Sequence, residues 1–326
     1  MHDVVVVGAG PAGMAAAHVC QHWGLDTLLV SEYLGGRTNF HLKLPFLESD
    51  DFSGGSGLAL LLRERLKLAD WPRVVGRVDR IDETADGVRV QGMGFAPVDA
   101  HLAILCTGAR PERLDVPGEH EFIMRGVAYS TGWYAPLFSG RTVAVVGSGA
   151  RAYQGARHLA AFARQIYLIQ PEAVGRPPKD VQAILQTPSV SLMAGWQVGS
   201  IEGNTYVERI RLERENGERV LDVDGVFVCA GITHNTSSVA HMVELASSGA
   251  VKVDGTQRTS HRRLMAAGDV TDAISEQVLV ALGQGARAGL SAWETRLADG
   301  AHVKSARKQG PWQRPTHPKG LAENGH

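Results

Sequence analysis

The sequence contains two glycine loops of the kind that can hold a dinucleotide. The first reads Gly8-Ala9-Gly10-Pro11-Ala12-Gly13 and the second Gly147-Ser148-Gly149-Ala150-Arg151-Ala152. In the first, Gly8 permits a tight turn and Gly10 removes a side chain where a pyrophosphate must approach the backbone. Gly13 lets the following helix pack closely on its strand. The start of that helix, where Pro11 opens the first turn and the free N–H groups begin at Ala12, offers donors and a partial positive charge to phosphates. Ser31 and Glu32 lie about twenty residues further on, where a carboxylate can accept ribose hydroxyls. The second loop keeps Gly147 and Gly149 and has Ala152 in the third position, which still allows a pyrophosphate to dock. These motifs alone do not say which dinucleotide is bound.

Other chemistry finds little support in the residue types. The three cysteines, Cys20, Cys106 and Cys229, stand far apart in apolar contexts, with no C-x-x-C among them. They read as small buried hydrophobes rather than as a disulfide framework or metal site. None of the 13 histidines has metal-ligand spacing with a third partner, and no nucleophile elbow occurs. No metal is expected, and no side chain stands out as an acid–base catalyst.

The elements that position the loops follow from periodicity. Residues 3–7 form a β-branched run typical of a buried parallel strand, followed by the loop, a small-residue helix start at 14–20 and a strand at 27–30. Residues 142–146 begin a second unit of the same design, with a helix to 164 and a strand at 165–169. Hairpin-like strands at 73–80 and 87–92 lie between them, then a strand at 101–108. A strand at 225–231, the segment 264–270 and a helix over 277–296 follow. Residues 301–326 read as a tail rich in Pro, Gly, His, Lys and Arg. The predicted fold class is α/β, with two Rossmann-like βαβ dinucleotide-binding domains. A 44% hydrophobic fraction, 21% charge and a net charge of −1 suit a globular protein. They give no reason to expect nucleic acid or a membrane as partner. No apolar run approaches the ~18–20 residues of a membrane span, and the start Met1-His2-Asp3 lacks a signal-peptide pattern. A cytoplasmic location is expected.

The combination of motifs resembles the thioredoxin-reductase-like branch of the FAD-dependent pyridine nucleotide-disulfide oxidoreductases, from about Val4 to about Ala292. Gly35-Gly36-Arg37 looks like that family's Gly-Gly-Gln segment near the flavin. Cys106-Thr107-Gly108-Ala109-Arg110-Pro111 looks like its Ala-Thr-Gly-Ala region, and Val116-Pro117-Gly118-Glu119 like its first interdomain crossing. Further matches are Gly231-Ile232-Thr233-His234-Asn235-Thr236 and Ala267-Gly268-Asp269-Val270, whose Asp in the family bonds the ribityl chain. Glu276-Gln277-Val278 aligns with an Arg-Gln pair whose Gln and next residue contact the isoalloxazine ring. The resemblance implies FAD in the first fold and a pyridine nucleotide, NAD(P)H, in the second. It also implies a discontinuous FAD domain over 1–116 and 241–300 and an inserted domain over 117–240. The two domains are expected to swivel at Val116 and Val239 in a homodimer.

Two departures matter. The family's redox cysteines fall on Ser130 and Trp133, neither of which forms a thiolate, so thioredoxin reduction is not expected. The family's His-Arg-Arg grip on a 2′-phosphate falls on Gln170-Pro171-Glu172, with Arg176 a little further on. A carboxylate at Glu172 repels a phosphate and can accept ribose hydroxyls, which favours NADH over NADPH if the second fold is more than a relic.

Lacking the cysteine pair, the chain is nearest in pattern to ferredoxin/flavodoxin–NAD(P) reductases of the thioredoxin-reductase type. Their C-terminal extension covers the flavin, a place Trp312 or His317 could take over the partner subunit's ring. The basic residues Lys304, Arg307, Lys308, Arg314 and Lys319 would meet an acidic protein or stay solvated. His41 and Lys43 are solvated or steer an anionic acceptor. The expected function is electron relay from NADH through FAD to a ferredoxin-like protein or a small-molecule acceptor, without a redox disulfide. The rival expectations are a flavoenzyme reduced by ferredoxin or another protein donor, with an idle nicotinamide site, and a non-catalytic flavin-bound sensor or scaffold.

Overall fold

The computed structural model describes residues 1–39, 42–46, 72–171, 179–272 and 276–300. Strand His2–Ala9 buries Val4, Val5 and Val6 completely, as expected of a parallel strand covered on both faces. Helix Pro11–His22 follows, with Ala12, Gly13, Ala15, Ala16 and Ala17 all buried. Those small residues let helix Val278–Ala298 lie against its backbone. A Cβ at Gly285 would come within 2.0 Å of Ala12 O, and one at Gly289 within 2.8 Å of Ala16 O.

The first sheet runs in the order Arg73–Val74, Thr27–Leu34, His2–Ala9, Val98–Leu105, Val88–Met93, Arg77–Glu83. Leu264–Ala266 pairs in parallel with Ala103 to Leu105. The second sheet is parallel throughout, in the order Val190–Ala194, Gln165–Gln170, Thr142–Val146, Gly225–Val228, Val127–Ala128. Helix Ala150–Ala160 packs beside it. Strands Ala109–Pro111 and Ile232–His234 pair antiparallel where the chain passes between the sheets.

The repeat extends to single backbone contacts. Cys106 N donates to Val7 O at 2.7 Å, and Cys229 N to Val146 O at 2.7 Å. A Cβ at Gly8 would stand 2.3 Å from Cys106 O, and one at Gly147 2.3 Å from Cys229 O. Both glycines also hold positive φ, +99° and +147°.

Several edges differ from the sequence reading. Strand Thr27–Leu34 continues past residue 30, so Glu32 lies within it rather than at its end. Residues 73–80 divide at Gly76, where a side chain would meet the Phe95 ring at 2.5 Å. The helix after the second loop stops at Ala160, because Phe162 N and Ala163 N turn back onto Leu159 O. An antiparallel sheet of Gln197–Gly203, Val207–Arg214 and Gly217–Asp222 was not foreseen. Its last strand buries only Leu221 and reads in sequence as a polar loop. Segment 42–46 crosses to the second sheet's core. Leu44 is buried there, the Phe46 ring meets that of Phe138 at 5.8 Å, and Arg141 lies 3.9 Å over Phe46.

Candidate dinucleotide cavity

A cavity of about 1600 Å³ opens at the carboxyl ends of the first sheet's parallel strands, the usual ligand position in such folds. Gly8, Gly10, Pro11, Ala12, Ser31, Glu32, Gly36, Arg37, Thr107, Gly108, Gly268, Asp269, Glu276, Gln277 and Val278 line it. Gly13 does not. A Cβ there would lie 1.8 Å from Gly8 O, so this glycine serves the packing of helix on loop.

The cavity suits a flavin dinucleotide. It exceeds the roughly 300–1,000 Å³ of an ordinary small-ligand site. Gly10 and Gly36 lie against each other on its wall, where a Cβ on Gly36 would sit 3.0 Å from Gly10 Cα. Gly10 caps helix Pro11–His22 without a side-chain bond, which leaves the first-turn N–H groups to a ligand. Ser238, also on the wall, is 4% exposed, and its hydroxyl has no partner in the protein.

Two loops from distant parts of the chain brace the wall. Thr107 Oγ1 donates to Asn235 O at 2.7 Å, and Asn235 Nδ2 donates to Thr107 O at 2.8 Å. His234 Nδ1 lies 2.7 Å from Asp269 O, and Gly268 N donates to Gln284 Oε1 at 3.0 Å. Asn235 and His234 stand in the motif that runs from Gly231 to Thr236, but their bracing role and that of Gln284 depend on contacts far apart in sequence.

Charge gathers at one end. Arg37 Nη1 bonds Asp269 at 3.0 Å and Glu276 at 3.3 Å. Arg151 binds both oxygens of Glu276 and donates to Tyr129 O at 3.2 Å. Burial raises the Asp269 carboxyl above its ordinary range despite Arg37. Burial acts upward on Glu276 too, but Arg151 and Arg37 outweigh it and hold this carboxyl low. Arg151 carried no signal in the sequence beyond its place in the second loop.

Ser130, which caps short helix Thr131–Tyr134, and Trp133 within it also line the cavity. Gly132 between them lies so close to Gln277 that a Cβ would meet its amide nitrogen at 2.6 Å. All three cysteines are buried and unpaired; Cys106 lines the cavity beside Thr107, whereas Cys20 and Cys229 do not. Burial pushes Cys20 up to about 12 and Cys229 up to about 11, and raises Cys106 as well. Lys43 lines the cavity with its side chain exposed and its N–H on Met124 O at 2.7 Å.

Around the second loop, Gly147, Gly149 and Ala152 repeat the first, with Gly149 at φ +82° and Ala152 fully buried. Gln170 ends the adjoining strand, and its side-chain nitrogen is buried without a partner. Glu172, Arg176, His41 and the tail with Trp312 and His317 lie outside the described residues. No group of metal-binding side chains occurs among the described residues, and no helix there is long and apolar enough to cross a membrane.

The profile of the pyridine nucleotide-disulphide oxidoreductases matches residues 2–285. The chain belongs to this family. It is 31% identical over 297 residues to the F subunit of alkyl hydroperoxide reductase in Staphylococcus epidermidis, covering 90% of this chain and 59% of that protein. It is 34% identical over 299 residues to the same component in Pseudomonas putida, covering 90% and 58%. The chain thus spans a little over half the length of these relatives. Among solved structures, thioredoxin reductase from Streptococcus pyogenes superimposes with a TM-score of 0.83 at 28% identity, over 91% of this chain and 99% of that one. Thioredoxin reductase from T. acidophilum covers the same shares at 26% identity with a TM-score of 0.60. The protein is therefore an FAD-dependent oxidoreductase of the thioredoxin-reductase-like fold, and the cofactors of its family are FAD and a pyridine nucleotide.

Proposed function

We propose that this chain relays electrons from NADH to a ferredoxin-like protein or a small acceptor through FAD, without a dithiol of its own. FAD occupies the cavity at the first glycine loop, and the pyridine nucleotide docks at Gly147, Gly149 and Ala152, with Glu172 selecting NADH. The observation that supports this most directly is the wall at Ser130 and Trp133. Helix Thr131–Tyr134 packs on Gln277 at the cavity wall with no thiol on it, and the three cysteines are all buried and unpaired, with Cys106 alone among the lining residues.

Bound flavin supplies the redox chemistry, accepting a hydride and releasing electrons. The chain's own residues orient and exclude. Gly8 and Gly10 give the pyrophosphate access to the helix N-terminus, and Asp269 and Glu32 accept hydroxyl donors. Trp133 and Gln277 close the ring end against water. The first sheet with residues 241–300 forms the FAD domain, and residues 117–240 form the nucleotide domain. The TM-scores of 0.83 and 0.60 at equal coverage support domains that take different relative orientations among relatives.

The test is anaerobic reduction of the FAD-loaded protein by NADH and by NADPH, followed at the flavin band. Fast bleaching by NADH, slow bleaching by NADPH and no thioredoxin-dependent disulfide reduction are expected. Bleaching only by a reduced ferredoxin would replace this reading with the protein-donor one. Rapid thioredoxin turnover would refute the absence of a dithiol step.

A further inference from the structure

Arg151 is the second residue of helix Ala150–Ala160, where a cation is opposed by the helix's positive end. No acidic residue of the helix's own first turn answers it, and the cap residue Gly149 has no side chain to do so. The anion comes from the segment that leads into helix Val278–Ala298. Glu276 stands just before helix Val278–Ala298, lines the flavin cavity and takes the Arg151 guanidinium on both its oxygens. Arg37 reaches the same carboxylate at 3.3 Å. The two side chains are about a quarter exposed, at 27% and 21%. Even so, Arg151 Nε remains buried without a partner, so Glu276 does not satisfy the whole guanidinium fork.

We propose that Glu276 is a built-in stand-in for the pyridine nucleotide's pyrophosphate, and that nucleotide binding at the second loop takes Arg151 from it. The inference rests on the reading that Gly147, Gly149 and Ala152 receive a pyridine nucleotide. A pyrophosphate on that loop brings anionic oxygens to the same helix end, and a phosphate binds the planar guanidinium fork through two parallel bonds. Carboxylate and pyrophosphate then compete for one cation. When the nucleotide wins, the tie between the two sheets at Glu276 opens. Glu276 is left with Arg37, which also holds Asp269 at 3.0 Å. Occupancy of the second loop is thereby felt at the wall of the flavin cavity.

The test is calorimetric titration of NAD⁺ into the FAD-loaded protein and three variants: Glu276→Gln, Arg151→Gln and the double variant. NAD⁺ is used because it binds without reducing the flavin. Competition predicts that Glu276→Gln tightens NAD⁺ about tenfold, which is about 1.4 kcal/mol, and that Arg151→Gln weakens it by a similar factor. In the Arg151→Gln background, Glu276→Gln has no further effect. If Glu276→Gln does not load FAD, Glu276→Asp, which withdraws the carboxylate by one methylene, is read in the same way. Binding of NAD⁺ by the parent protein with no change in Glu276→Gln overturns the stand-in role and leaves the nicotinamide reading intact. An equal effect of Glu276→Gln with and without Arg151 also overturns it. Failure of all four proteins to bind either NAD⁺ or NADH overturns the nicotinamide reading itself.

Discussion

Gly8→Ala tests the first glycine loop directly. The new Cβ would stand 2.3 Å from Cys106 O, 2.7 Å from Cys106 C and 3.1 Å from Thr107 N, all backbone atoms. None can turn aside as a flexible side chain would. The residue must also hold φ +99°, and a side chain in a left-handed conformation costs about 1–2 kcal/mol. Moving the end of strand Val98–Leu105 to relieve the contact gives up the 2.7 Å bond from Cys106 N to Val7 O, a further ~1 kcal/mol. The sum of about 2–3 kcal/mol corresponds to roughly 30- to 150-fold weaker FAD binding. The assay is the FAD-to-protein ratio after desalting, with thermal melting on the same samples. Gly147→Ala makes the same 2.3 Å contact with Cys229 O in the other half, so it should keep its FAD and lose its response to NADH. A Gly8→Ala protein with full flavin and an unchanged melting point would refute the assignment of the first loop. Loss of FAD from Gly147→Ala would refute the division of labour between the loops.

Three further outcomes follow from buried groups. Glu119 is 2% exposed and accepts from Leu114 N, Asp115 N and Tyr129 Oη at 2.7–3.1 Å; Glu119→Gln should cost about 2 kcal/mol, seen as a drop in melting temperature of about 4–8 °C. A wild-type melting point in that variant would show the cluster to be energetically idle. The three thiols are buried, with Cys20 pushed up to about 12 and Cys229 up to about 11, so at pH 8 a thiol reagent should label none of them until denaturant is added. Glu276, held low by Arg151 and Arg37, adds stability that is complete above its unfolded value of about 4.3 and lost as pH falls through its lower folded value. Asp269 beside it, raised by burial, runs the other way and loses stability as pH rises through its folded value. Glu276→Gln should therefore flatten the acid limb of melting temperature against pH below about 4.3; an unchanged limb would show that the pair is not held in solution.

Much of this protein is local enough to be legible in its sequence. A β-branched run, a glycine loop and a small-residue helix depend on neighbours in the chain. Both units and the turn glycines Gly8 and Gly147 could therefore be assigned from type and spacing. The cysteine-free stretch at Ser130 and Trp133 was equally plain, because it is a matter of which atoms are present. The polar hairpin strand Gly217–Asp222 was not legible, since it buries little and has no apolar face to betray it. Neither was the passage of Leu44 and Phe46 onto the second sheet's core. The tie of Arg151 to Glu276 spans 125 positions of sequence. Spacing reports only which residues share an element, whereas ion pairs form between elements once hydrophobic burial has set the sheets against one another. Tertiary structure alone therefore decided that an arginine of the second loop would rest on a carboxylate of the cavity at the first loop.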